Sequence, residues 1–117
     1  VISAETARRV RHMLELAVQP GGTAPRAQIM GYRVGGKTGT AQVIALKKGA
    51  LSLAERFRDH AWFVAFAPLE NPQIAMSVFV EHGGHGGGAA APIAKRAIEA
   101  YFNPARTFEP VPSTFPQ

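Results

Sequence analysis

The chain has 117 residues, no cysteine, a formal net charge of +5 and 46 % hydrophobic residues. That apolar content, with 12 glycines and 9 prolines, excludes a disordered or collagen-like chain, and the lack of cysteine excludes disulfides, zinc–cysteine sites and thiol catalysis. No apolar run approaches the roughly 20 residues that cross a bilayer.

The length suits one domain or one piece of a larger one. The first residues, Val1-Ile2-Ser3-Ala4-Glu5, carry no signal-peptide pattern and begin with valine, as expected of an internal or processed piece. The 13 basic and 8 acidic side chains leave nucleic acid, an anionic surface or an anionic substrate open as partners.

Ala7, Val10, Leu14, Ala17 and Val18 recur at helical spacing with Met13 beside them, which predicts a packed first helix. Ser3 is its N-cap and Glu5 favours the positive end of its dipole; Pro20-Gly21-Gly22 stops it. Arg8, Arg9, Arg11 and His12 lie largely off the stripe and read as a solvated basic face rather than a nucleic-acid face. Residues 23–29, with Pro25, form a loop or short extended piece. Residues 32–46 are strand-like, interrupted by Gly35, Gly36 and Gly39. Glycine inside a strand marks a bulge or a close approach of another backbone, a first hint of a ligand edge.

Residues 47–59 connect two strands, with a short helix at 51–57. The run Ala61-Trp62-Phe63-Val64-Ala65-Phe66-Ala67, ended by Pro68, predicts a buried strand, with Trp62, Phe63 and Phe66 in the core. A turn at Glu70-Asn71-Pro72 joins it to a strand over residues 73–81, giving an antiparallel hairpin. Residues 82–88, His-Gly-Gly-His-Gly-Gly-Gly, read as a flexible loop. Pro92 opens a closing helix with Ile93, Ala94, Ala97, Ile98 and Tyr101 on its apolar face. The domain ends near Asn103; residues 104–117, with Pro104, Pro110, Pro112 and Pro116, form an extended or disordered tail.

Lys37-Thr38-Gly39-Thr40 carries the chemistry. Residues Gly31 to Thr38 satisfy the phosphate-loop pattern G-x-x-x-x-G-K-T, the basis of an alternative reading as a nucleotide- or nucleic-acid-binding module. That motif needs a helix starting at the lysine, whereas Gly39, Thr40, Val43 and Ile44 favour strand. The one aspartate, Asp59, ends no apolar strand that could present it to magnesium. On a strand, alternation puts the Thr38 and Thr40 hydroxyls on one face, able to bind a carboxylate. Gly39 admits a substrate backbone, Lys37 starts on the other face with a stem long enough to reach the cleft, and a backbone N–H can stabilise an oxyanion. Such an edge suits an extended peptide ending in a carboxylate.

Lys37-Thr38-Gly39-Thr40-Ala41-Gln42 resembles the third motif of the penicillin-binding transpeptidases. Its ordered neighbours agree: Gly21-Gly22-Thr23-Ala24, Gly31-Tyr32, the Trp62–Pro68 run and Ala90-Ala91-Pro92-Ile93-Ala94. Over residues 1–102 the chain is similar to the C-terminal part of the transpeptidase domain of class B penicillin-binding proteins, most of all penicillin-binding protein 2. The resemblance implies an α+β fold, an antiparallel sheet flanked by N- and C-terminal helices, as in the β-lactamases. It implies a peptidoglycan D,D-transpeptidase that cross-links stem peptides through a serine acyl-enzyme and binds β-lactams, without metal or other cofactor. Lys37 and Thr40 would be catalytic, Lys37 supporting proton transfer and Thr40 giving an oxyanion N–H; Thr38, Gly39 and Thr40 would hold the substrate's terminal carboxylate.

The implied partners are the remainder of the domain, the stem peptide, β-lactams and the cell-elongation glycosyltransferase machinery, and no nucleic acid. The implied place is the periplasmic face of the bacterial cytoplasmic membrane, with the parent protein anchored through a segment not contained here. Neither Ser-x-x-Lys nor Ser-x-Asn occurs: Ser3, Ser52, Ser77 and Ser113 all lack the required followers. The chain is expected to supply one wall of a site, to be inactive alone and to expose apolar sheet surface. A third reading is a structural or regulatory domain that keeps the fold without catalysis.

The other polar residues read plainly. His82 and His85 sit among glycines without a third ligand, His12 and His60 are surface or packing residues, Glu81 lacks a partner carboxylate, and Lys47-Lys48 is a solvated loop.

Overall fold

The computed structural model describes residues 1–42 and 58–105. The expected strand end at 43–46, the connecting helix at 51–57 and the tail from 106 onward lie outside the described residues.

The first helix, α1 (Ala4–Leu16), begins where the sequence places it. The Ser3 hydroxyl accepts a hydrogen bond from the Thr6 N–H at 3.1 Å, and Glu5 pairs with Arg9 one turn on. The chain then turns through Gly21, whose φ of +87° suits glycine, and a short 3-10 turn at Pro25–Ala27. Three strands follow: β1 (Gly35–Ala41), β2 (His60–Ala67) and β3 (Ile74–Val80), in the antiparallel order β1-β2-β3. A single π-helical turn, Gly86–Ala90, leads into α2 (Ala91–Phe102).

The register defines two faces. Thr38 lies opposite Phe63 and Thr40 opposite Ala61, while across the hairpin Phe63 meets Val78 and Ala65 meets Met76. On that face Ala61, Phe63, Ala65 and Ala67 are buried with Ala91, Ala94 and Ile98 of α2. α2 begins one residue before Pro92, and its covered stripe runs through Ala91, Ala94 and Ile98; Ile93, Ala97 and Tyr101 are exposed. The stacked rings of Tyr32 and Phe102, 4.3 Å apart, tie the end of α2 to the approach of β1.

The other face departs from the expectation of a wholly buried β2. Trp62, Val64 and Phe79 are 40, 47 and 47 % exposed, so of the three expected core aromatics only Phe63 is fully buried, and Phe66 is half-buried. An all-apolar strand hides the alternation that would separate a covered face from an open one. The stripe of α1 is likewise only half covered: Val18 beyond its end is buried and Ala7, Leu14 and Ala17 are half-buried, but Val10 and the flanking Met13 are exposed.

Residues 82–88 are not a free loop. Gly86 and Ala90 are buried, and the main chain of Gly84 donates to the Asp59 carbonyl at 2.9 Å. Glycine here permits backbone-to-backbone packing rather than motion.

Candidate active site

The site is built on β1, whose outer edge pairs with no strand among the described residues. An edge strand directs alternate N–H and C=O groups outward, a template for an added extended chain. Thr38 and Thr40 share the face that carries Phe63 and Ala61, and Lys37 shares the opposite face with Val64. The Lys37 stem folds along the strand, and its ammonium donates to the Thr38 carbonyl at 2.6 Å. Thr40 and Lys37 are exposed; Thr38 and Gly39 are half-buried. The fold therefore brings the four sequence-predicted residues together on one open edge.

The three glycines of the strand serve different ends. A Cβ at Gly36 would lie 2.5 Å from Phe63 Cζ, and one at Gly35 would strike the Phe66 ring. Those two are explained by internal packing, not by an approaching ligand. At Gly39 the nearest atom to a Cβ is Trp62 Cβ at 3.2 Å, a tight contact but a milder one than at Gly35 or Gly36.

A groove of about 630 Å³ runs between α1 and the start of β1, lined by Met13, Leu14, Ala17, Thr23, Gly36 and Lys37. Its one ionisable side chain is Lys37, at the site end. A second cavity, beside Val18, Ile29 and Tyr32, includes none of the four site residues.

Sequence reasoning missed the ion cluster that sets the entry of β1. Arg33 donates to both Glu15 carboxylate oxygens, at 2.7 and 2.8 Å, and to Glu70 at 2.8 Å; Arg11 lies 3.6 Å from Glu70 and His12 3.8 Å from Glu15. The Arg33 hydrogen bonds, against the opposing effect of burial, hold the Glu15 carboxyl below its ordinary value, and Glu15 in turn holds the Arg33 guanidinium more firmly protonated. The cluster joins α1, the approach of β1 and the β2–β3 turn. The one clue in the sequence is an acidic Glu15 between Leu14 and Leu16, three residues before the buried Val18.

At the far end of the sheet, the His82 backbone N–H donates to His60 Nδ1 at 2.9 Å, and His82 Nδ1 lies 3.0 Å from the Arg58 carbonyl. Among the described residues no group of three His, Asp or Glu side chains is placed to hold a metal ion. No helix among them is long and apolar enough to cross a membrane.

The segment Gly31–Thr38 enters a strand, with no helix starting at Lys37, so the phosphate-loop geometry is not formed. What the chain does match is a family. Residues 1–99 fit the model of the penicillin-binding protein transpeptidase domain. The chain belongs to that family.

Among its relatives, the peptidoglycan D,D-transpeptidase MrdA of Haemophilus influenzae is 43 % identical over 76 residues, 62 % of this chain and 12 % of that protein. Of solved structures, Pseudomonas aeruginosa penicillin-binding protein 2 in complex with WCK 5153 superposes with a TM-score of 0.69 at 38 % identity, over 88 % of this chain and 21 % of that one. The ceftriaxone acyl-enzyme of penicillin-binding protein A from Mycobacterium tuberculosis gives a TM-score of 0.62 at 30 % identity, over 85 % of this chain and 21 % of that one. The sheet and its two helices are thus part of a transpeptidase domain of a penicillin-binding protein, and the chain spans about one eighth of its MrdA relative. The MrdA relatives are peptidoglycan enzymes, which accords with the cell envelope.

Proposed function

We propose that this chain is the C-terminal portion of the transpeptidase domain of a class B penicillin-binding protein, residues 1–103, followed by the 104–117 tail, and that Lys37 to Thr40 form one wall of its site. The observation that carries the reading is the edge of β1 that pairs with no strand among the described residues, with Thr38 and Thr40 on one face and the Lys37 ammonium folded back along the strand.

A stem peptide ending in D-Ala-D-Ala would lie antiparallel along this edge, with Gly39 giving its backbone room. Its terminal carboxylate would accept hydrogen bonds from the Thr38 and Thr40 hydroxyls, with the Lys37 charge adding attraction. The serine of the remaining domain attacks the penultimate carbonyl. Its proton passes to a base, the C–N bond to the terminal D-Ala breaks, and that residue leaves as the free amine. An amine of a second stem then attacks the ester and the serine regains its proton. The Thr40 N–H faces the oxyanion in both steps, together with the nucleophile's own N–H. β-Lactams enter the same site and form the same kind of ester, as the ceftriaxone acyl-enzyme of the mycobacterial relative does.

The exposed apolar face of Trp62, Val64 and Phe79 supports the remainder of the domain as a partner, since three large apolar side chains side by side need cover. The glycosyltransferase machinery of cell elongation is the further partner through the parent protein. The site then works at the periplasmic face of the cytoplasmic membrane.

The test is labelling by a fluorescent penicillin, with every polypeptide separated and weighed under denaturing conditions. The complete protein is expected to take up label on a serine outside this chain, and the 117-residue chain alone is expected to take up none. A complete protein that takes up no label, or label bound covalently within residues 1–117, would overturn the reading.

A further inference from the structure

The turn between β3 and α2 lies directly beneath the strand that bears the site residues. A Cβ at Gly86 would collide with the Trp62 carbonyl and come within 2.9 Å of the Gly39 carbonyl, and Gly39 and Trp62 are opposite one another in the β1–β2 ladder. A Cβ at Gly87 would collide with the Thr23 carbonyl and sit 3.6 Å from Thr38 Cγ2. Gly88, the next residue, has no atom within 4 Å of its Cβ position. The turn is itself fixed: Ala89 donates to the His85 carbonyl at 2.9 Å, and Arg26 donates to the Gly88 carbonyl at 3.3 Å.

We propose that Gly86 and Gly87 are positioning residues for the ligand's carboxylate, a role that rests on the transpeptidase reading above. Threonine is stiff at χ1, so the place of its methyl fixes the direction of its hydroxyl. The place a Gly87 side chain would take lies between the Thr23 carbonyl, with which it would collide, and the Thr38 methyl 3.6 Å away. A methyl at residue 87 would be driven off the Thr23 carbonyl and toward the Thr38 methyl, turning the Thr38 hydroxyl from the direction in which it is offered, so that direction is kept only while residue 87 is glycine. Gly86 acts one residue further along, supporting the Gly39–Trp62 pair at its carbonyls and so fixing the height of the edge along which the ligand runs. Neither glycine touches the ligand; each acts through β1.

This predicts a selective loss. A displaced Thr38 hydroxyl weakens binding of a free carboxylate but has little to offer a carboxylate ester, which carries no charge for it to meet. The experiment uses the complete protein and compares acylation by a penicillin with acylation by its methyl ester, for wild type and for Gly86→Ala, Gly87→Ala and Gly88→Ala. For Gly87→Ala and Gly86→Ala the free acid is expected to acylate about tenfold more slowly or worse, the scale of a sub-ångström misplacement at a reacting centre, whereas the ester changes far less. Gly88→Ala is expected to match wild type with both.

Thr38→Ser keeps the hydroxyl and removes the methyl, so it tests the rotamer argument without crowding the turn. It is expected to acylate with the free acid several-fold more slowly than wild type. Equal losses for acid and ester would make the turn an ordinary structural element and overturn the proposal. So would wild-type rates for the Gly87→Ala and Thr38→Ser proteins. If the wild-type protein is not acylated by either compound, the transpeptidase reading itself falls, a different result from a wild type that reacts and variants that do not differ.

Discussion

Gly36 offers the sharpest test of how β1 is held. Its neighbour Lys37 belongs to the proposed site, and a glycine in that place reads at first as room for a ligand. The structure gives another reason: a Cβ there would meet Phe63 Cζ at 2.5 Å and both Phe63 Cε2 and the Val64 carbonyl at 3.0 Å. Phe63 is fully buried, with Ala65 beside it and α2 above, so its ring has nowhere to retreat. Gly36→Ala should therefore overpack the core at a cost of about 1–3 kcal/mol. The reduced freedom of the unfolded chain offsets roughly 0.4–1 kcal/mol, since the φ of Gly36 is not in the left-handed region, leaving a net loss of order 1–2 kcal/mol.

Phe63→Leu removes the colliding ring edge and alone should cost about 1–3 kcal/mol through the space it leaves. The pair should cost less than the sum by about 1 kcal/mol, because the alanine methyl then enters that space. Urea unfolding of the complete transpeptidase domain, with two single variants and the double, measures this coupling. Additive costs, or a Gly36→Ala protein as stable as wild type but slow to react with penicillin, would refute the packing account and return Gly36 to the ligand.

Three further outcomes are expected. Because Arg33 holds the Glu15 carboxyl below its unfolded value, the cluster's stabilisation is complete above the ordinary carboxylate range and fades as pH falls through the lower folded value; Glu15→Gln should flatten that acid limb in unfolding midpoints measured against pH. Val64→Lys should cost about 2–4 kcal/mol in the complete domain if the rest of the domain covers the apolar face, as proposed, and within about 0.5 kcal/mol if that face stays open to solvent. Lys37→Ala should slow penicillin acylation by about 100-fold or more while leaving the unfolding midpoint nearly unchanged, since its side chain is exposed and its ammonium bonds only the adjacent carbonyl among the described residues.

Much of this fold is legible where the signal is local. Ser3 caps α1 because a serine hydroxyl reaches the third N–H on, and the β2–β3 hairpin follows from two apolar runs around Glu70-Asn71-Pro72. The Lys-Thr-Gly-Thr segment is legible because strand and helix contexts separate two motifs that share the same letters. What stays hidden is long-range. Arg33 pairs with Glu15 and Glu70 across 18 and 37 residues, a separation no periodicity reports. Trp62 and Phe63 are adjacent and equally apolar, yet one is exposed and the other fully buried, because the covering helix lies on one side only. The glycine-rich turn looks flexible in the sequence because composition cannot tell glycine used for freedom from glycine used for contact.

These hidden features bear on one mechanical problem. An unpaired edge strand is free to slip or to pair wrongly, yet a site built on it needs its hydroxyls held within a fraction of an ångström. β1 is fixed at its entry by Arg33, which bonds α1 through Glu15 and the β2–β3 turn through Glu70. Along its first residues it is locked by the Phe66 and Phe63 rings, which fill the space side chains at Gly35 and Gly36 would take. Beneath the Gly39–Trp62 pair the chain passes so closely at Gly86 that a side chain there would collide with the Trp62 carbonyl. Each restraint acts on the inner side or the ends of the strand, so none of the described residues needs the outer edge to hold it. The ligand proposed for that edge would then meet hydroxyls, a glycine and a cation whose places are already set, with little ordering cost left for binding to meet.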